Sequence, residues 1–196
     1  SRGLRTDLEV IRLSVKVARC AGVNDMHLDI GHVGLVRAIL KEEKLDADAM
    51  EVLLEALRLK DRVRLDRIKD QLSGEGYQAL LTLMQTFGAV EVLDELREKL
   101  PARAGVLEAL DEVETLAREA GAPHVSVDFC DVHGYGYLTG VSFAGYVEGL
   151  PQPVLRGGRY DDIGIAFGCA RPAVGFTLYL SCLLYTSDAA DDMQCV

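Results

Sequence analysis

No stretch of the chain approaches the roughly 18 consecutive apolar residues that a bilayer-spanning helix needs, although 49% of its 196 residues are hydrophobic. No membrane partner is expected. The residues from Ser1 to Asp7 lack the basic and apolar regions of a secretory signal, which favours a cytoplasmic protein. Positive charge is scarce as well. Lys and Arg number 21 against 31 Asp and Glu, for a formal net charge of -10. Domains that grip a phosphate backbone carry a clustered basic face, so nucleic acid is not an expected partner. Paired cysteines are also missing. Cys20, Cys130, Cys169, Cys182 and Cys195 form no C-x-x-C unit and no zinc or disulfide spacing, so reduced, mostly buried thiols are expected.

Several catalytic signatures are absent. There is no P-loop, no HExxH helix and no serine-nucleophile elbow. The run Gly134-x-Gly136-x-x-Thr139-Gly140 misses the dinucleotide fingerprint by one residue and sits between strands rather than opening a helix. His27 and Asp29 would share one strand face while His32 lies beyond them, and no further ligand cluster follows. No metal and no cofactor are expected.

What remains is ordinary globular composition in about one domain's worth of chain. Leu8, Ile11, Val15 and Ala18 recur at helical spacing, and Gly22 stands where a C-capping glycine would end the helix. Met26, Leu28 and Ile30 alternate with His27 and Asp29, a period suited to a half-buried strand. From Val33 to Ala120 the pattern is helical, broken at Ser73-Gly74-Glu75-Gly76 and at Pro101, with Val106, Leu110, Val113 and Ala117 marking the last helix. Beyond Pro123 the composition turns to Val, Phe, Tyr and Gly. Strands are expected around Val125 to Phe129, Tyr137 to Val147, Val154 to Tyr160 and Ala173 to Leu180, with a hairpin turn at Glu148 to Pro153.

The segment CLLYTSDAADD, Cys182 to Asp192, reads differently from everything before it. Back-translated, it resembles the transposon-end adapter used to prepare sequencing libraries, and residues 182–196 are therefore expected to be read-through rather than native protein. Leaving them out removes three acidic residues and no basic one, so the chain is acidic either way.

The stretch most open to chemistry is Leu155-Arg156-Gly157-Gly158-Arg159-Tyr160-Asp161-Asp162. Adjacent glycines in a β context permit a close approach, either of a ligand or of another part of the chain, and the glycines alone do not decide which. Upstream stands His133-Gly134-Tyr135-Gly136-Tyr137-Leu138-Thr139-Gly140-Val141-Ser142-Phe143; downstream stands Arg171-Pro172-Ala173-Val174-Gly175-Phe176. In order and spacing these resemble the core of histidyl-tRNA synthetase, whose pattern runs RGLDYYTG, VFE, GGGRYD and AVGF. They resemble still more closely the regulatory subunits of ATP phosphoribosyltransferase, its non-catalytic paralogues, which carry GGRYDD(I/V)G and FGRARPATGF. His27 to Leu40, HLDIGHVGLVRAIL, also looks like that subunit family's strand and helix.

The resemblance implies an α+β fold: a class II synthetase-like antiparallel sheet flanked by helices. Residues 1–181 would be a partial core with a helical insertion at about 42–100. It implies a histidine-like ligand pocket made by His133, Tyr137, Thr139, Gly140, Gly157, Gly158, Arg159, Tyr160 and Asp161. Departures from the synthetase pattern point away from an enzyme. His133 replaces the Arg of RGLDYY, Gly136 its Asp, Leu138 its second Tyr, and Ala144 the acidic residue after VF. His133 and Leu138 also depart from the GYHYHTG of the regulatory subunits. The synthetase's ATP-binding Arg would fall at about Cys182, and its earlier motif before Ser1. The implied role is a regulatory subunit supporting the first step of histidine biosynthesis. It would be a homodimer within a hetero-oligomer with the short-form catalytic ATP phosphoribosyltransferase subunit, and histidine is a candidate effector. The alternatives are a histidyl-tRNA synthetase and a paralogue with another partner.

Overall fold

A computed structural model describes residues 2–169 and 171–179. The expected read-through at 182–196, the position of the synthetase's ATP-binding Arg and the last residue of the final expected strand lie outside them.

The first helix, α1 (Arg2–Cys20), buries Ile11, Val15 and Ala18, and starts six residues before Leu8, the first of the recurring apolar positions. Gly22 takes a φ of +89°, and the amides of Gly22 and Val23 return to the carbonyls of Arg19 and Ala18, closing the helix as a glycine cap does. Strand β1 (His27–His32) then alternates, with Leu28 and Ile30 fully buried. Six helices follow: α2 (Val33–Leu40), α3 (Ala47–Leu59), α4 (Arg62–Asp66), α5 (Gly74–Gln85), α6 (Val92–Lys99) and α7 (Ala104–Glu119). The expected break at residues 73–76 falls where α5 begins, with Gly74 and Gly76 inside its first turn. The Ser73 hydroxyl accepts from the Gly76 amide, while Glu43 accepts from the Ser73 amide and hydroxyl. A side chain at Gly76 would collide with that same Glu43 carboxylate, which is why glycine is tolerated inside the first turn.

Strands β2 (His124–Val127), β3 (Val141–Tyr146), β4 (Leu155–Arg159) and β5 (Val174–Leu178) complete a sheet of order β2-β1-β3-β4-β5. Pairing is antiparallel from β1 through β5, but β2 runs parallel to β1. A parallel neighbour requires a crossover, and the whole stretch from α2 to α7 supplies it. The sheet is therefore mixed rather than wholly antiparallel. The expected strand from Tyr137 also begins later: residues 133–137 form turns, and β3 starts only at Val141.

Helices α1, α2 and α7 cover one face of the sheet. One continuous hydrophobic core runs from Leu53 and Leu80 in the helical block to Ile30, Phe143 and Leu155 in the sheet. Among the described residues no helix is long and apolar enough to cross a membrane. Of the described thiols Cys130 is buried, whereas Cys20 and Cys169 are exposed, contrary to the expectation of mostly buried thiols. Cys20 ends α1 on its outer side, and Cys169 lies in the linker after a 3-10 turn (Ile163–Phe167).

Candidate functional site

The face of the sheet opposite α1 carries a cavity of about 260 Å³, just below the ~300–1,000 Å³ of sites for drug-sized molecules and suited to a single small metabolite. Its walls come from the loop before β3 (Asp131, His133, Tyr137, Leu138), from β4 (Arg156, Gly157, Gly158) and from Tyr160, Phe176 and Thr177.

Period two in β4 decides which motif residues reach it. Arg156 and Gly158 fall on the cavity face, whereas Arg159 turns to the helix face and is held there. Its guanidinium donates to both oxygens of Asp7 in α1 (2.6 and 3.1 Å), to the Gly3 carbonyl and to Asp161. Both members of the Arg159–Asp7 pair are nearly inaccessible, at 13% and 4% side-chain exposure. Burial works against the Arg159 cation, but the carboxylates of Asp7 and Asp161 outweigh it and hold the charge.

Thr139, Gly140 and Asp161 support β4 rather than line the cavity. The Thr139 amide donates to the Arg159 carbonyl (2.8 Å), and the Thr139 hydroxyl accepts from the Asp161 amide (3.0 Å). A Cβ on Gly140 would meet the Arg159 side chain at 3.0 Å. Asp161 accepts from the Ala173 amide (2.9 Å), fixing the entry to β5. The nine residues of the implied pocket thus divide. His133, Tyr137, Gly157, Gly158 and Tyr160 line one cavity; Thr139, Gly140, Arg159 and Asp161 form the joint behind it.

The paired glycines are also explained. A Cβ on Gly157 would lie 2.2 Å from the Phe143 ring and 2.6 Å from the Gly175 carbonyl; one on Gly158 would lie 2.7 Å from the Val141 carbonyl and 2.8 Å from Leu138. Their room is taken by this chain's own atoms, on both faces of the sheet. Leu138 is accordingly buried, and it forms an apolar part of the cavity wall.

Polar character in the cavity centres on Asp131, a residue that motif matching passes over. Its carboxylate accepts from Nδ1 of His133 (2.5 Å) and from Nη1 of Arg156 (2.9 Å). Burial opposes the charge on Asp131, yet Arg156 and His133 together prevail and hold the carboxyl below its ordinary value. The carboxylate is an acceptor only, so Nδ1 of His133 is the donor in that bond. Arg156 was legible in principle, because it sits two residues before Gly158 and so shares its face.

His27 and Asp29 do share a strand face, with Nε2 of His27 3.3 Å from Asp29, while His32 is on the other face against Glu112 at 3.2 Å. Among the described residues no three His, Cys, Asp or Glu side chains converge as metal ligands.

A mixed sheet with helices on one face and a small cleft on the other, closed by a GGRYD strand, defines a class II synthetase-like domain. The family profile described as histidyl-tRNA synthetase matches residues 1–183, and the chain belongs to that family. It is 43% identical over 178 residues to an ATP phosphoribosyltransferase regulatory subunit of Ralstonia pickettii (strain 12J), covering 91% of this chain and 46% of that protein. A protein of the same description from Burkholderia multivorans (strain ATCC 17616 / 249) is 39% identical, with 91% of this chain and 47% of the relative covered. The chain thus spans about half the length of the curated relatives it matches. Among solved structures, one described as an ATP phosphoribosyltransferase regulatory subunit/histidyl-tRNA synthetase from Bacillus halodurans superposes with a TM-score of 0.80 at 29% identity. It covers 93% of this chain and 49% of the other.

Proposed function

We propose that this chain is part of a regulatory subunit of ATP phosphoribosyltransferase, required for the first step of L-histidine biosynthesis and performing no chemistry itself. Its partner is the short-form catalytic subunit, in a cytoplasmic hetero-oligomer built on a homodimer of this chain. Histidine, bound in the cavity between Asp131 and Tyr160, shifts that assembly toward an inactive arrangement, which requires only that it bind the two arrangements unequally. The reading is carried by relatives of the regulatory description at 38–43% identity along 91% of the chain. The site agrees with it. An amino-acid-sized cleft is kept, while His133, Gly136, Leu138 and Ala144 stand where the synthetase pattern has Arg, Asp, Tyr and an acidic residue. Residues 182–196 are, in the same reading, adapter read-through.

The test mixes the full-length gene product with the short-form catalytic subunit, ATP and phosphoribosyl pyrophosphate and follows phosphoribosyl-ATP. Activity confined to the mixture and reduced by histidine is the expected result. A well-folded product that activates nothing overturns the reading. Histidyl-adenylate formation by that product would put a synthetase in its place, a second reading favoured by the family profile.

A further inference from the structure

The cavity holds a guanidinium that no sequence motif assigns. Arg156 lies on the cavity face of β4, directly opposite Ala144 on β3 and Thr177 on β5. Only its Nη1 is engaged, at 2.9 and 3.3 Å from the two oxygens of Asp131; among the described residues its Nε and Nη2 make no hydrogen bond. A guanidinium has five donors in a rigid fork that matches a carboxylate. Asp131 thus pins one edge of the fork and leaves the rest facing the cavity. Cross-strand neighbours approach within about 5 Å at their Cβ atoms, so an acidic side chain at position 144 would reach Arg156 and claim those donors. The methyl of Ala144 cannot.

The same Asp131 holds Nδ1 of His133. Arg156 and His133 therefore converge on one carboxylate from different elements, and the permanently charged one of the two is Arg156. Among the described residues the cavity thus offers an unclaimed cationic fork beside the His133 ring. Apolar walls come from Leu138 and the ring of Tyr160. That combination suits a small zwitterion with a carboxylate at one end.

We infer that Arg156 is the carboxylate anchor of this cavity, selecting free amino acids over the corresponding amines, with Asp131 as the residue that positions it. This rests on the reading of the cavity as a histidine site.

The experiment is calorimetric titration of the full-length protein with L-histidine and with histamine, which keeps the imidazole and the amine but lacks the carboxylate. Unaltered protein should bind histidine about 10- to 100-fold more tightly than histamine, the range expected for one charge-assisted pair. Arg156→Met should reduce histidine binding to the histamine level and leave histamine unchanged. Arg156→Lys, which keeps the charge without the fork, should fall between. If Arg156→Met or Arg156→Lys retains the full preference, or loses both ligands equally, Arg156 is not the anchor. If the unaltered protein binds neither ligand, the histidine reading of the cavity has failed and the anchor with it; binding of both with equal affinity removes the anchor alone.

Discussion

Glycines 157 and 158 lie next to each other, yet their neighbours differ from those of Gly136, and substitution should show it. Alanine at 157 places a methyl against the Phe143 ring and the Gly175 carbonyl, and the backbone carbonyl cannot rotate away. Overpacking of this kind costs about 1–3 kcal/mol, measurable as a lower urea midpoint for Gly157→Ala. A methyl added at Gly136 would meet nothing within 4 Å, so Gly136→Ala should stay within about 0.5 kcal/mol of the parent. The thiols separate in the same way. Burial first, then the nearby Asp128 carboxylate, pushes the Cys130 thiol up to about 12, leaving almost no thiolate to react. In native protein at pH 8, iodoacetamide followed by peptide mapping should mark Cys20 and Cys169, with Cys130 labelled only after unfolding. Asp131 supplies the pH dependence. Its folded-state carboxyl lies below the ordinary value, so its contribution is fully present above the unfolded value of about 3.9 and is lost as pH falls through the folded one. Asp131→Asn should cost about 1–3 kcal/mol at neutral pH, with the gap to the parent closing in acid; a gap that widens below pH 4 contradicts that sign.

Between elements, the strongest tie is the Arg159–Asp7 pair joining β4 to α1. Removing Asp7 leaves the buried Arg159 guanidinium with Asp161 and the Gly3 carbonyl only, and the lost charge-assisted bonds cost about 1.5–3 kcal/mol. Asp7→Ala should therefore destabilise strongly, with amide exchange in α1 accelerated. Pairing Asp7→Leu with Arg159→Met should recover part of the loss, because the one carboxylate left without its guanidinium, Asp161, is part-exposed. Neither the pair nor its consequence was legible in the sequence. The period of β4 sends Arg159 to the helix face, but only the fold brings Asp7, 152 residues earlier, beneath it. The elements themselves were far more legible. Ile11, Val15 and Ala18 with Gly22, and Leu28 with Ile30, carry their own periodicity and cap, which tertiary structure did not override. Reading failed where local signals were ambiguous. Glycines at 74 and 76 mark a break but hide that Ser73, held by Glu43, caps the helix they open, and the aromatic run at Tyr137 suggests a strand that turns at Gly134 forestall. At the site, the contiguous motif joins Arg159 to a cavity it does not face; the period of β4 places Arg156 there, and only the folded loop before β3 brings in Asp131.

At the scale of the molecule, the parallel pairing of β1 with β2 encloses everything between them. The helical block leaves the sheet after His32 and returns at His124, so pairing those two strands closes one long loop around the block. Its contacts are continuous with the sheet: Leu53, Leu80 and Leu83 belong to the same core as Leu28, Ile30 and Val127. Polar ties reinforce the junction, from Lys60 to Asp128, from His32 to Glu112, and from Arg37 to the Tyr135 carbonyl. Such a chain should lose its structure as one unit despite its separate-looking helical block. Because the sequence has no tryptophan, a single one placed at Tyr77 in α5 or at Tyr146 in β3 reports on its own region alone. In each variant the fluorescence midpoint in urea should coincide with the far-UV circular dichroism midpoint of the same protein, a comparison that the lost Tyr77–Asp66 hydrogen bond does not disturb. Leu80→Ala, which empties a fully buried position in the block, should lower the midpoint seen from the sheet as much as that seen from the helix, by an amount equivalent to about 2–5 kcal/mol. A Tyr77→Trp fluorescence transition that precedes the circular dichroism one would mean that the helices between β1 and β2 form a separate cooperative unit, and that the shared core is too thin to couple them.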